Sequence, residues 1–143
     1  MYTKDEATEK LEREIEEACK QNDTYKILEL GNQYTHPSLS LNGLISISPD
    51  VAKALVSIKM PYSHDIANPN YNPDFRWALY LNGLTSLSLE VAEALVGWPG
   101  LQITFSGLTA ISPEVAQVLA KFKGNISSSP GVEALIENAK KEN

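Results

Sequence analysis

One pattern occurs three times in this chain and restricts its fold more than any other feature. LSLNGLISISPDVAKALVS runs from Leu39 to Ser57, LYLNGLTSLSLEVAEALVG from Leu79 to Gly97, and ITFSGLTAISPEVAQVLAK from Ile103 to Lys121. With Gly43, Gly83 and Gly107 aligned, Leu39/Leu79/Ile103 and Leu41/Leu81/Phe105 make an apolar–x–apolar step. That is period two, the mark of a short strand with one buried face. A polar residue and the glycine follow, and glycine is expected there for its access to positive φ. Ser48, Ser88 and Ser112 then stand where a helix N-cap belongs. Pro49 and Pro113 occupy the first helical position, and Asp50, Glu90 and Glu114 suit the positive end of the helix dipole. Val51–Leu55–Ile58, Val91–Leu95–Trp98 and Val115–Leu119–Phe122 fall at i, i+4, i+7 and form one apolar stripe per helix.

Each unit is therefore strand, turn, helix. Neither a lone strand nor a short helix can bury its face, so the units must stack, with strands in a parallel sheet and helices on the other side. The fold class expected is α/β. Ile103 follows Leu79 by 24 residues. The run LxLxGLTxLSPEVAxAL, at that period, resembles a bacterial leucine-rich repeat, and the resemblance spans about residues 39–123. It implies a short solenoid with helical caps. The common leucine-rich pattern places a laddering asparagine in a slot that holds Leu44, Leu84 and Leu108 here. Asn42 and Asn82 fall two residues earlier, so no asparagine ladder is expected.

The pattern predicts a single repeat domain over 1–143: an N-terminal helical cap (1–31), a first repeat (39–58), an inserted loop (59–77), a second (78–100) and third repeat (101–124), and a truncated repeat with a cap helix (125–143). Thr3-Lys4-Asp5-Glu6 reads as a capping box opening the first helix. Ala7, Leu11, Ile15 and Ala18 form its apolar stripe, flanked by Cys19, and a short second element around Ile27, Leu28 and Leu30 follows. Ser129-Pro130-Gly131-Val132 echoes Ser112-Pro113-Glu114-Val115 only 17 residues on, so the fourth copy is expected to lack about seven residues of strand and turn. With both ends capped, a complete small protein is the expectation. Leu79 follows Leu39 by 40 residues, which leaves about 16 for the insertion. Its prolines and asparagines mark a loop. Long loops in compact domains often carry function, and this one holds Tyr62, Tyr71, Phe75 and Trp77. The bland alternative is that these aromatics fold back onto the core.

The 143 residues carry a net charge of −6, with acid concentrated in Glu12–Glu17. A nucleic-acid binder needs a basic surface to displace counterions, and an anionic membrane would repel this chain. The start lacks the apolar core of a secretory signal, so a cytoplasmic location is expected. One cysteine excludes an internal disulfide framework and a CxxC metal site. His36 and His64, the two imidazoles, sit in loops without convergent partners. Neither an enzyme nor a bound cofactor is expected; a hydrolase using His64-Asp65 has nothing to support it beyond that dipeptide.

What remains is surface. The middle residue of each strand step, Ser40, Tyr80 and Thr104, should point away from the core, as should Ser38, Ala78 and Gln102. With Trp77, Tyr62 and Tyr71 from the adjoining loop, this face is the expected binding surface for another protein. Tyrosine and tryptophan are common interface anchors. A monomer is expected. The competing reading is a small acidic immunity or inhibitor protein that neutralises a basic toxin or enzyme through Glu12–Glu17.

Overall fold

The computed structural model describes residues 3–63 and 65–142. Among them are six helices and four strands: α1 (Glu6–Lys20), α2 (Thr24–Gly31), β1 (Ser38–Ser40), α3 (Pro49–Val56), β2 (Ala78–Tyr80), α4 (Leu89–Leu95), β3 (Gln102–Phe105), α5 (Pro113–Leu119), β4 (Asn125–Ser128) and α6 (Pro130–Glu142). The strands form one parallel sheet in the order β1-β2-β3-β4. Each helix packs against the next in chain order. The chain is thus α/β, and the strand–helix units lie side by side.

Period two fixes which side chains enter the core. Leu39, Leu79, Ile103, Leu41, Leu81 and Phe105 are wholly buried. Opposite them lie the helix stripes, Val51–Leu55–Ile58, Val91–Leu95–Trp98 and Val115–Leu119–Phe122, all buried. The hydroxyls of Ser48, Ser88 and Ser112 accept the N–H groups of Val51, Val91 and Val115 at 3.1, 3.2 and 3.1 Å, the cap that the spacing predicts.

The turns depart from expectation twice. No glycine has positive φ among the described residues. Glycine is required instead because the stacked turns touch: a Cβ on Gly83 would collide with the carbonyls of Asn42 and Leu44, and one on Gly107 with that of Asn82. An asparagine ladder also exists, two residues before its common slot. Asn42 Oδ1 accepts from Asn82 N at 2.9 Å, and Asn82 Oδ1 accepts from Ser106 N at 2.8 Å. Each asparagine thus satisfies a backbone donor of the next turn, which side-chain spacing within one unit could not reveal. Gly83→Ala is expected to cost about 2 kcal/mol or more, because backbone on both sides must move. Gly131→Ala, whose Cβ would meet nothing within 4 Å, is the neutral control. Equal melting temperatures for the two variants would refute the close-packing account.

Two expectations are corrected and one element is specified. Asp5, not Thr3, caps α1: its Oδ1 accepts from Thr8 N at 2.8 Å, and that N–H holds the Asp5 carboxyl below its usual value. The second element is a helix, capped by Asp23 and reached through Asn22 in the left-handed region at φ 57°. The fourth copy keeps its strand. Ile126 pairs with Ile103 in β3, 23 residues earlier, and only the turn before the helix is missing. A single apolar residue in Asn125–Ser128 left no alternation to detect. Val132, Ile136 and Ala139 face inward from α6.

Candidate functional site

The outward positions of the four strands fall in two rows. Register places Ser40, Tyr80, Thr104 and Ser127 in one row and Ser38, Ala78, Gln102 and Asn125 in the other. Neighbouring strands in such a sheet are about 4.8 Å apart, so four strands offer a narrow plate of side chains. None of these eight residues is Asp, Glu, Lys, Arg or His. Gln102 organises one half of the plate. Its Nε2 donates to Ser127 Oγ at 2.8 Å and Thr104 Oγ1 at 3.2 Å, and its Oε1 accepts from Asn125 Nδ2 at 3.1 Å. Lys4 lies at the β1 rim, donating to Ser40 Oγ at 3.3 Å and Glu12 Oε2 at 2.6 Å. Tyr80, partly exposed on β2, is the aromatic of the plate; Ala78 beside it is nearly covered. The structure therefore brings Ser40, Tyr80, Thr104 and Gln102 together, and adds Asn125 and Ser127, which sequence reasoning missed with β4.

Trp77 is the main correction. It was expected on this face and is wholly buried. The reason lies in the backbone: Trp77 stands just before β2 at φ 48°, so strand alternation does not reach it, and its ring turns in against Phe75 and Trp98. Its indole stacks on Trp98 with ring centres 5.0 Å apart and planes 20° apart, and on Phe75 at 5.9 Å. Trp98 Nε1 donates to the Trp77 carbonyl at 2.8 Å.

The loop therefore divides. Phe75 and Trp77 join the core, while Tyr62 and Tyr71 each remain 40% exposed. Tyr62 packs edge-on against Phe75 at 4.9 Å, and Tyr71 bridges to Ser63. The loop's acids and amides hold its own backbone: Asp65, Asn68 and Asn72 accept from the N–H groups of Ala67, Asn70 and Asp74. Asp65 is thus a turn residue, and His64 lies outside the described residues. No metal-ligating cluster of three or more His, Cys, Asp or Glu occurs among the described residues.

Part of the acidic run is structural. Glu12 Oε2 accepts from Ser40 N at 2.6 Å, Lys4 Nζ at 2.6 Å and Tyr34 Oη at 3.1 Å, and Glu16 Oε1 accepts from Gly43 N at 2.9 Å. One turn apart on α1, the two carboxylates satisfy backbone donors of the first unit, whose strand β1 is an edge of the sheet. Glu133 of α6 does the same for Ser128 N of β4 at 3.1 Å. The Tyr34 hydroxyl is shared between Glu12 and the Ser38 carbonyl, 2.6 Å away, and burial beside the Glu12 charge raises its pKa well above the phenol range.

Cys19 is buried in the same cap, and burial reinforced by the Glu16 charge pushes its thiol up to about 12. Against an unperturbed thiol, the thiolate population at neutral pH is smaller by about a thousandfold. Alkylation is expected to be very slow in the folded chain and rapid in denaturant. Similar labelling rates in the two states would contradict a core thiol.

No helix among the described residues is long and apolar enough to cross a membrane. No protein-family model matches the chain, no curated protein matches it in sequence, and no solved structure matches it.

Proposed function

We propose that this chain is a short leucine-rich-repeat-like solenoid that works as a non-catalytic protein-interaction module, using the outer face of its sheet. The observation that carries this reading is the pair of in-register rows of uncharged polar side chains with Tyr80 among them. Such a plate offers hydrogen bonds and one aromatic anchor but no nucleophile–base pair, which suits recognition better than reaction. Tyr62 and Tyr71 extend the candidate surface only if a partner also reaches the loop.

The test is capture of a binding partner by the wild-type chain and by Tyr80→Ala, with unfolding followed in parallel. Tyr80 is only partly buried, so the variant is expected to keep its melting temperature within a few degrees and lose about 2 kcal/mol of affinity, as an interface anchor does. Because the plate is uncharged, the complex is expected to survive a rise in salt that would dissolve a charge-steered one. Full affinity in Tyr80→Ala would remove the sheet face from consideration.

A further inference from the structure

The sheet face leaves unused a groove at the edge where the strands begin. The turns that follow α4 and α5, residues 97–101 and 121–124, form its walls and enclose about 460 Å³. That volume lies in the range of small-molecule sites. One wall is largely apolar, with Val96, Pro99 and Leu101; the other brings Lys121 and Lys123. No carboxylate lines the groove, although the chain as a whole is acidic. Neither lysine forms a salt bridge among the described residues. The backbone N–H groups of Lys123 and Gly124 donate no hydrogen bond within the described residues.

Lysines near a helix C-terminus can simply offset the helix dipole. Here the last carbonyls of both helices are already engaged: Ala94 and Leu95 accept from Gly97 N and Trp98 N, and Val118 and Leu119 accept from Lys121 N and Phe122 N. The formal charges that line the groove are the two lysine ammonium groups. Two ammonium groups and two free amides across from Val96, Pro99 and Leu101 suit a phosphate or carboxylate carried on a small apolar body.

The geometry points to this groove, between the turns after α4 and α5, as a binding site for a small organic anion bearing phosphate or carboxylate groups. The site is independent of the sheet face, so it stands whether or not Tyr80 binds a protein.

The experiment is an amide NMR titration of the full chain with pyrophosphate and, separately, with citrate, at ionic strength held constant by chloride. Saturable shifts are expected at Gly97, Gly100, Lys123 and Gly124. In the Lys121→Gln/Lys123→Gln double variant, whose changes lie on the surface, the affinity is expected to fall by about tenfold or more. Lys10→Gln, on α1 at the other end of the stack, should titrate like the wild type. Saturation by pyrophosphate alone would identify the ligand class as phosphate, and by citrate alone as carboxylate; either supports the site. The site is refuted if neither probe gives saturable shifts, if the double variant binds as well as the wild type, or if shifts spread over surface lysines generally.

Discussion

Glu12→Ala is expected to be among the most destabilising single changes outside the apolar core. One carboxylate oxygen receives the N–H of Ser40, the Lys4 ammonium and the Tyr34 hydroxyl. Its side chain is only 14% exposed, and that of Lys4 19%. Truncation therefore leaves a partly buried cation and a strand-edge donor without their shared acceptor, while the Tyr34 hydroxyl keeps the Ser38 carbonyl. Stranding such partners costs more than the hydrogen bonds contribute when made, about 3 kcal/mol in total. For a chain of this length that is a fall in melting temperature of about 10 °C. Glu12→Gln retains an acceptor oxygen without the charge and should lose about half as much. The alanine variant should also self-associate as its concentration rises, since the β1 donor at Ser40 is then open to another chain. Thermal unfolding with sedimentation of the three proteins decides the matter. A Glu12→Ala protein as stable and monodisperse as the wild type would show that the carboxylate contact is incidental.

This role bears on the competing reading of the chain as an acidic neutraliser. Glu12 and Glu16, two of the acids in the run that reading would use, are directed at the backbone of the first unit. Glu17 remains exposed on α1. A basic partner would meet a face with fewer available carboxylates than the sequence alone advertises.

The legibility of the fold follows from how local each signal is. Strand alternation, the serine caps and the helix stripes each lie within one unit, and the structure places them where the spacing predicts. Contacts between units were less visible. The conserved-looking glycines of the three copies have a steric reason that appears only when turns are stacked, and Asn42 reaches Asn82 across 40 residues of chain. The structural part of the acidic run was not legible, because nothing in EREIEE reveals that Ser40 N lies against it. Trp77 was misplaced for a different reason. Its aromaticity was weighed as an interface signal, and nothing in the local sequence marks the left-handed backbone that turns its ring into the core. Of the candidate binding residues, those on regular strands fall on the outer face of the sheet, as strand alternation predicts. Ser127 and Asn125 were missed because β4 has no apolar neighbour beyond Ile126 to set a phase.

Trp77 also gives the second large effect, and one whose sign is unusual. Its backbone sits at φ 48°, a left-handed conformation that bulky residues rarely adopt. The surroundings hold it there: Trp98 and Phe75 stack on its ring, Tyr34 lies 6.2 Å away, and its carbonyl accepts from Trp98 Nε1. Gly100 leaves the room for that carbonyl, since a Cβ there would collide with it. Removing the indole opens a cavity between Phe75 and Trp98, and Trp77→Ala is expected to cost about 4 kcal/mol. Glycine normally stabilises less than alanine, because it loses more conformational freedom on folding. At this position the order should reverse. Trp77→Gly loses the same stacking but relieves the left-handed strain, and should be more stable than Trp77→Ala by about 1 kcal/mol. Denaturant unfolding of the two variants separates ring from backbone. Alanine at least as stable as glycine would mean that the chain relaxes out of the left-handed turn once the indole is gone, and that stacking alone had imposed it.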